Sequence, residues 1–224
     1  DISMLEPYSD ICGITEKEIH CMFDSEVALL AGKEGIEKDE CYAKLKDCYD
    51  GYHFRQNSAG IYNPFSLLTT LDSMKFGDYW FETGTPSFLV YLLKQADYNL
   101  NNLQDEMVSA DVLNSVDSMS KNPIPVIYQS GYLTIKDYDR EFKIYRLGFP
   151  NKEVENGFIK YLLPLYTPIE ENKSVFYIAN FISDIERGNP DGFMERLQSL
   201  FADSDYKITG KMEKYFQNSM YLIF

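Results

Sequence analysis

The pair Asn63-Pro64 constrains this chain more than any other short feature. An Asn side chain accepts hydrogen bonds from the free N–H groups at a helix start, and Pro at the first helical position loses nothing by lacking its own N–H. The pair predicts a helix that begins at Pro64 and carries Phe65, Leu67, Leu68 and Leu71. Thr85-Pro86 repeats the device ahead of Phe88, Leu89, Leu92 and Leu93. Gly51 and Gly84 suit turns that need positive φ or close backbone approach. A turn that holds a fixed direction into a helix needs a packed wall, so Tyr49, Tyr52, Phe65 and Trp80 are expected to be buried around the two helix starts. Such turns form an aromatic core, or they frame a nucleotide or a domain interface.

The remaining elements follow from capping and periodicity. Thr15-Glu16-Lys17-Glu18 is a capping box, and Ile19, Phe23, Val27 and Leu30 continue it as one helix. A second helix is expected over residues 38–49, and another after Asn151 with Val154, Phe158, Tyr161, Leu162 and Leu165 on one face. Further helices start near Ser174, at Asn189-Pro190 and near Gly210. Residues 98–122 are polar and predict an irregular connection or a domain boundary. Residues 123–129 form a short helix closed near Gly131. Tyr132-Leu133-Thr134-Ile135 and the run Phe142 to Leu147 flank a polar turn from Asp137 to Glu141, which is a hairpin pattern. A short helix, a hairpin and a capped helix in that order suit a winged-helix-like unit. The expected fold is mainly α with a small β hairpin.

Composition narrows the function. With 224 residues, 45% hydrophobic and 15% aromatic, the chain builds a real core as one large domain or two small ones. Its formal net charge of -14 opposes general binding to nucleic acid or anionic membranes. No signal peptide or membrane span is visible. The four cysteines, Cys12, Cys21, Cys41 and Cys48, match no zinc spacing and are expected as buried, reduced residues of a cytoplasmic protein. Asp1 is not an initiator Met, and Met220-Tyr221-Leu222-Ile223-Phe224 ends an apolar run without a breaker, so the chain is expected to be a piece of a longer protein.

Motifs for catalysis are incomplete. Gly32-Lys33-Glu34 and Gly210-Lys211-Met212 hold the GK pair of a P-loop without its upstream Gly or its hydroxyl. Glu141-Phe142-Lys143, Glu171-Asn172-Lys173 and Asp205-Tyr206-Lys207 have the E-x-K or D-x-K form of metal nucleases but no accompanying ligands. His20 and His53 have no Ser or Cys partner in a recognisable motif, and His53 is expected to be structural. No catalytic or metal-ligating residue is therefore assigned.

Seven segments, in order, carry a family resemblance: Asp1 to Met4, Ile11 to Thr15, Tyr49 to Tyr52, Tyr62 to Ser66, Tyr79 to Pro86, Tyr128 to Leu133, and Leu147 to Val154. Together they resemble the bacterial AAA-ATPase-like proteins that end in a PD-(D/E)XK nuclease-like domain. The resemblance implies a middle fragment, with the family's Walker segments before Asp1 and its nuclease-like residues after Phe224. It implies residues 1–100 as the helical C-terminal part of the ATPase-like region, 101–150 as the winged-helix-like hairpin unit, and 151–224 as helices leading to the nuclease-like domain. ATP and Mg²⁺ are implied for the parent protein and no cofactor for this fragment. By analogy with P-loop ATPases, Gly51, Tyr52, Asn63 and Pro64 face the nucleotide. The implied partners are the P-loop core and the nuclease-like domain, with direct nucleic-acid binding disfavoured. The competing reading is a protein–protein interaction module using an aromatic surface.

Overall fold

The computed structural model describes residues 6–55, 58–83, 87–103, 105–113, 122–167, 173–202 and 212–223. Among these the chain is mainly helical with a small antiparallel sheet. Its first helices are α1 (Glu16–Met22), α2 (Asp24–Glu34), α3 (Lys38–Tyr49), α4 (Pro64–Ser73) and α5 (Ser87–Gln95). Then follow β1 (Glu106–Ser109), α6 (Ala110–Leu113), α7 (Ile124–Gln129), β2 (Thr134–Asp139) and β3 (Ile144–Gly148). The chain continues with α8 (Lys152–Tyr166), α9 (Ser174–Glu186), α10 (Pro190–Ala202) and α11 (Met212–Ile223). No helix among the described residues is long and apolar enough to cross a membrane.

Two compact units emerge. The first comprises residues 1–96 and 103–157, and the second 97–102 and 158–224. In the first unit the capping box at Thr15 forms as expected, with the Glu18 N–H on the Thr15 hydroxyl and the Thr15 N–H on the Glu18 carboxylate at 2.8 Å. The single helix expected from Thr15 is instead two. Phe23 takes φ -123° and ψ 16°, closing α1 and opening α2. Its N–H and carbonyl stay bonded to Ile19 and Val27, so the bend breaks no ladder at that residue. Ile19, Val27, Leu30, Cys41, Leu45, Tyr49, Tyr62, Leu67 and Leu71 then form one core.

Several expected burials are corrected. Cys41 is buried and Cys48 half-buried beside Leu45, but Cys12 and Cys21 are exposed. Cys21 lies on the solvent face of α1, whose buried residue is Ile19. Phe65 and Leu68 are 46% and 44% exposed. The helix turns Ser66, Leu67, Thr70 and Leu71 inward, which leaves no inward position for its second residue. Phe88 is likewise exposed while Leu89, Leu92 and Leu93 are buried. Gly84, Thr85 and Pro86 lie outside the described residues, as do Glu171, Asn172, the 205–207 triplet, Gly210 and Lys211.

The hairpin forms, and the polar stretch before it holds a strand that the sequence reading missed. Sheet order is β1-β3-β2, antiparallel throughout, with Val108 opposite Tyr145 and Ile135 opposite Leu147. β1 shows little of a strand's apolar pattern, since only Met107 and Val108 in it are apolar and only Val108 is buried. A bulge between Ile135 and Asp137 frees Lys136, whose ammonium donates to the Pro150 carbonyl at 3.1 Å. The tip is tied by Asp139, whose carboxylate accepts the N–H groups of Glu141 and Phe142 at 2.8 and 2.9 Å. Lys143, at φ 55°, completes the reversal.

The second unit is helical. Asn218 on α11 holds the short 3-10 turn at Leu100–Asn102, accepting from the Leu100 N–H at 2.9 Å and donating to the Tyr98 carbonyl at 3.1 Å. Asn189 caps α10 as its sequence predicts, accepting from Gly192 at 3.2 Å. Asp184 on α9 pairs with Arg196 on α10 at 2.5 Å, and Phe181 meets Phe193 edge-on at 5.1 Å.

Candidate functional site

The loop from Tyr49 to Asn63 builds the site. It is closed by the Asn63 N–H on the Tyr49 carbonyl at 2.9 Å and by a short ladder between Tyr52 and Ile61. A second bridge joins Ile14 to Tyr62. The Tyr49 hydroxyl donates to the Gly77 carbonyl at 3.0 Å, and burial pushes its pKa up to about 12. Asn63 has extended φ and ψ, and its side-chain oxygen accepts the Phe65 and Ser66 N–H groups at 2.9 and 3.2 Å. Pro64 occupies the first helical position. Asn63→Ala is expected to cost about 1 kcal/mol, read from urea denaturation, because a buried double cap is lost. A change under about 0.3 kcal/mol, within the scatter of neutral surface substitutions, would show that water replaces the cap freely.

His53 is fixed to β2. Its N–H donates to the Thr134 hydroxyl at 2.7 Å, and that hydroxyl donates back to the His53 carbonyl at 3.0 Å. Its Nδ1 lies 2.9 Å from the Ser58 carbonyl, which only accepts, so Nδ1 carries a proton. The first two of these bonds are made by the His53 backbone and the third by its ring.

A cavity of about 640 Å³ opens beside this loop, within the first unit. Tyr52, His53, Asn63 and Pro64 form one part of its wall, and Trp80, Tyr128, Gln129 and Tyr145 another. Among the described residues that line it there is no Asp, Glu, Lys or Arg. Trp80 is half-buried rather than fully buried, and its ring lies 5.8 Å from Tyr52 and 6.3 Å, edge-on, from Tyr132. Gly131, at φ +79°, backs it: a Cβ there would sit 3.1 Å from the Trp80 ring. Of the four residues singled out by analogy, Tyr52, Asn63 and Pro64 share this cavity. Gly51 does not line it. It lines a smaller cavity with Asp50, Lys136, Pro150 and Asn151. The sequence reading did not select Gln129, Gly131, Thr134 or Tyr145, although Tyr128 to Leu133 stands among the segments that carry the resemblance.

A buried polar group supports the Trp80 turn from behind. Glu153, in the first turn of α8, is 2% exposed and accepts the Trp80 backbone N–H at 2.9 Å. Burial raises its pKa, with the Trp80 N–H and Ser66 opposing and the Asp78 charge reinforcing the shift. Burial also raises Asp50. A carboxylate with a raised folded-state pKa contributes stability that is fully present below its unfolded value, here 4.5 for Glu153, and lost as pH rises through the folded value. Glu153→Gln keeps an acceptor for Trp80 without a charge to bury. Its melting temperature is expected to fall less than that of the wild type between pH 4.5 and about pH 8. Parallel curves for the two proteins would show that Glu153 titrates normally.

The cavity offers aromatic walls and neutral polar edges. Its described residues do not fit a triphosphate or Mg²⁺, which need cations, carboxylates or a run of free N–H groups. No group of three or more His, Cys, Asp or Glu positioned to hold a metal occurs among the described residues.

No family model matches the chain, and no solved structure matches it. It is 34% identical over 203 residues to the "Uncharacterized protein in vnfD 5'region" of Azotobacter chroococcum mcd 1. That match takes in 90% of this chain and 36% of the relative, so the chain spans about a third of the length of the curated relative it matches.

Proposed function

We propose that the chain is a non-catalytic middle region of an ATPase-like, nuclease-associated bacterial protein, capping a nucleotide held by a P-loop core and coupling that site to a C-terminal domain. The observation that carries the reading is convergence. Parts of four of the segments bearing the resemblance, around Cys12, Tyr52, Asn63 and Trp80, meet those around Tyr128 to Leu133 on one cavity. The phosphates and Mg²⁺ belong to residues outside this chain. The order β1, α6, α7, β2, β3, with the first strand against the third, supports a winged-helix-like unit. That unit does not serve duplex DNA in this reading, since Asp137, Asp139 and Glu141 crowd the hairpin and Arg146 is drawn to Asp105 and Asp137.

The isolated chain is expected to turn over neither ATP nor DNA with Mg²⁺. Turnover above background that a mutation inside the chain abolishes would contradict this. In the full-length protein, Trp80→Ala is expected to weaken ATP binding about tenfold, roughly 1.4 kcal/mol. Unchanged affinity would remove the capping role.

A second reading, a protein-docking module, is favoured by one observation. Phe88 and Tyr91, three residues apart on α5 and so on one face of it, are 58% and 60% exposed.

A further inference from the structure

We infer that the cavity beside Trp80 is, in this chain alone, a binding site for an uncharged, flat heteroaromatic ring. The inference is independent of whether the parent protein is an ATPase.

Three properties define the ligand. First, the volume of about 640 Å³ suits a small molecule and lies within the first unit. Second, the described lining holds no Asp, Glu, Lys or Arg, and the chain's net charge of -14 disfavours anions further. A charged ligand would lose its hydration there without gaining a partner. Third, Tyr52, Trp80, Tyr128 and Tyr145 are among the lining residues, and aromatic side chains favour a flat guest by stacking.

The rim supplies hydrogen bonds that are neutral and oriented. Gln129 donates its amide to the Leu113 carbonyl at 3.0 Å, which fixes the side chain and leaves its carbonyl oxygen as an acceptor. Asn63 commits its oxygen to α4, so its NH₂ is oriented as a donor, with the Tyr52 hydroxyl as one neighbour. An acceptor and a donor held in fixed orientations match a heteroaromatic ring better than a plain hydrocarbon. The Trp80 side chain is set by Gly131 behind it, while its backbone is set by Glu153. This wall exists before any ligand arrives, which lowers the ordering cost of binding.

Such a ring can be free or part of a molecule charged elsewhere, and one experiment separates the two. Trp80 is the sole tryptophan, so its indole N–H gives one cross-peak in a ¹⁵N-labelled sample. The whole chain is titrated with adenosine, nicotinamide and caffeine as neutral rings, and with ATP as a ring bearing a triphosphate. The expected result is a saturable shift with at least one neutral ring, and ATP no tighter than adenosine. Ala110→Phe and Ser130→Phe place bulk in the cavity from exposed positions and are expected to weaken that binding at least tenfold with the melting temperature retained. No shift with any neutral ring at millimolar concentration overturns the inference. So does ATP binding ten times tighter than adenosine, because the chain would then hold the phosphates. A shift that survives both Phe variants, folded as judged by melting, places the ligand elsewhere and overturns it too.

Discussion

Gly51→Ala is expected to destabilise the first unit by about 3 kcal/mol, from two effects of the same sign. Gly51 has φ 102°, where a side chain meets its own backbone at a cost of roughly 1–2 kcal/mol. A Cβ at that position would also collide with the carbonyl oxygen of Pro150. That oxygen cannot swing aside, because it accepts from Lys136, and Asn151 beside it donates to the Asp50 carbonyl at 3.0 Å. Forcing atoms into such a contact adds roughly 1–3 kcal/mol. Gly32→Ala provides the control. Gly32 lies inside α2 with nothing within 4 Å of a new Cβ, so alanine there is expected to stabilise by about 1 kcal/mol through helix propensity. Urea denaturation of both variants reads the contrast. A Gly51→Ala protein within about 0.5 kcal/mol of wild type, the range of neutral surface changes, would mean that the Asp50–Tyr52 turn is not held as described.

Gly157→Ala tests the opposite balance. Gly157 lies inside α8, where alanine is intrinsically better by about 1 kcal/mol. The new Cβ would fall within the ring of Phe81, however. Phe81 is 8% exposed and packs 5.9 Å from Tyr132, so it has little freedom to withdraw. Overpacking is expected to win, with a net loss of about 1–3 kcal/mol. Phe81→Leu in the same chain removes the ring edge and is expected to restore part of that loss, giving a favourable coupling between the two sites. If Gly157→Ala alone raises the melting temperature, helix propensity has won and the close approach of Phe81 is relaxed in solution.

The residues alone determined a good deal here, wherever the governing physics is local. Asn63-Pro64 and the Thr15 box form the caps that their chemistry dictates, and Asn189-Pro190 opens a helix because the same free N–H groups need the same partner. The α3 helix runs over Lys38–Tyr49, and the hairpin around Asp139 follows from alternation and a turn-forming carboxylate. The preference of Gly51 for positive φ was also legible, since only backbone geometry is involved.

What required tertiary structure is whatever depends on neighbours distant in sequence. Phe65 was expected inside and lies outside, because α4 has one buried face and the core of α2 and α3 selects which residues fill it. β1 carries too little apolar pattern to reveal itself, and its existence depends on the free edge of β3. Gly51 and Tyr52 are adjacent in sequence yet line different cavities, since Pro150 fills the space beside one and Trp80 stands against the other. The joining of Tyr52 and Asn63 to Gln129 and Tyr145 across some 80 residues has no sequence period to announce it. Such a site is defined by packing between elements, and packing is a property of the folded chain rather than of any stretch within it.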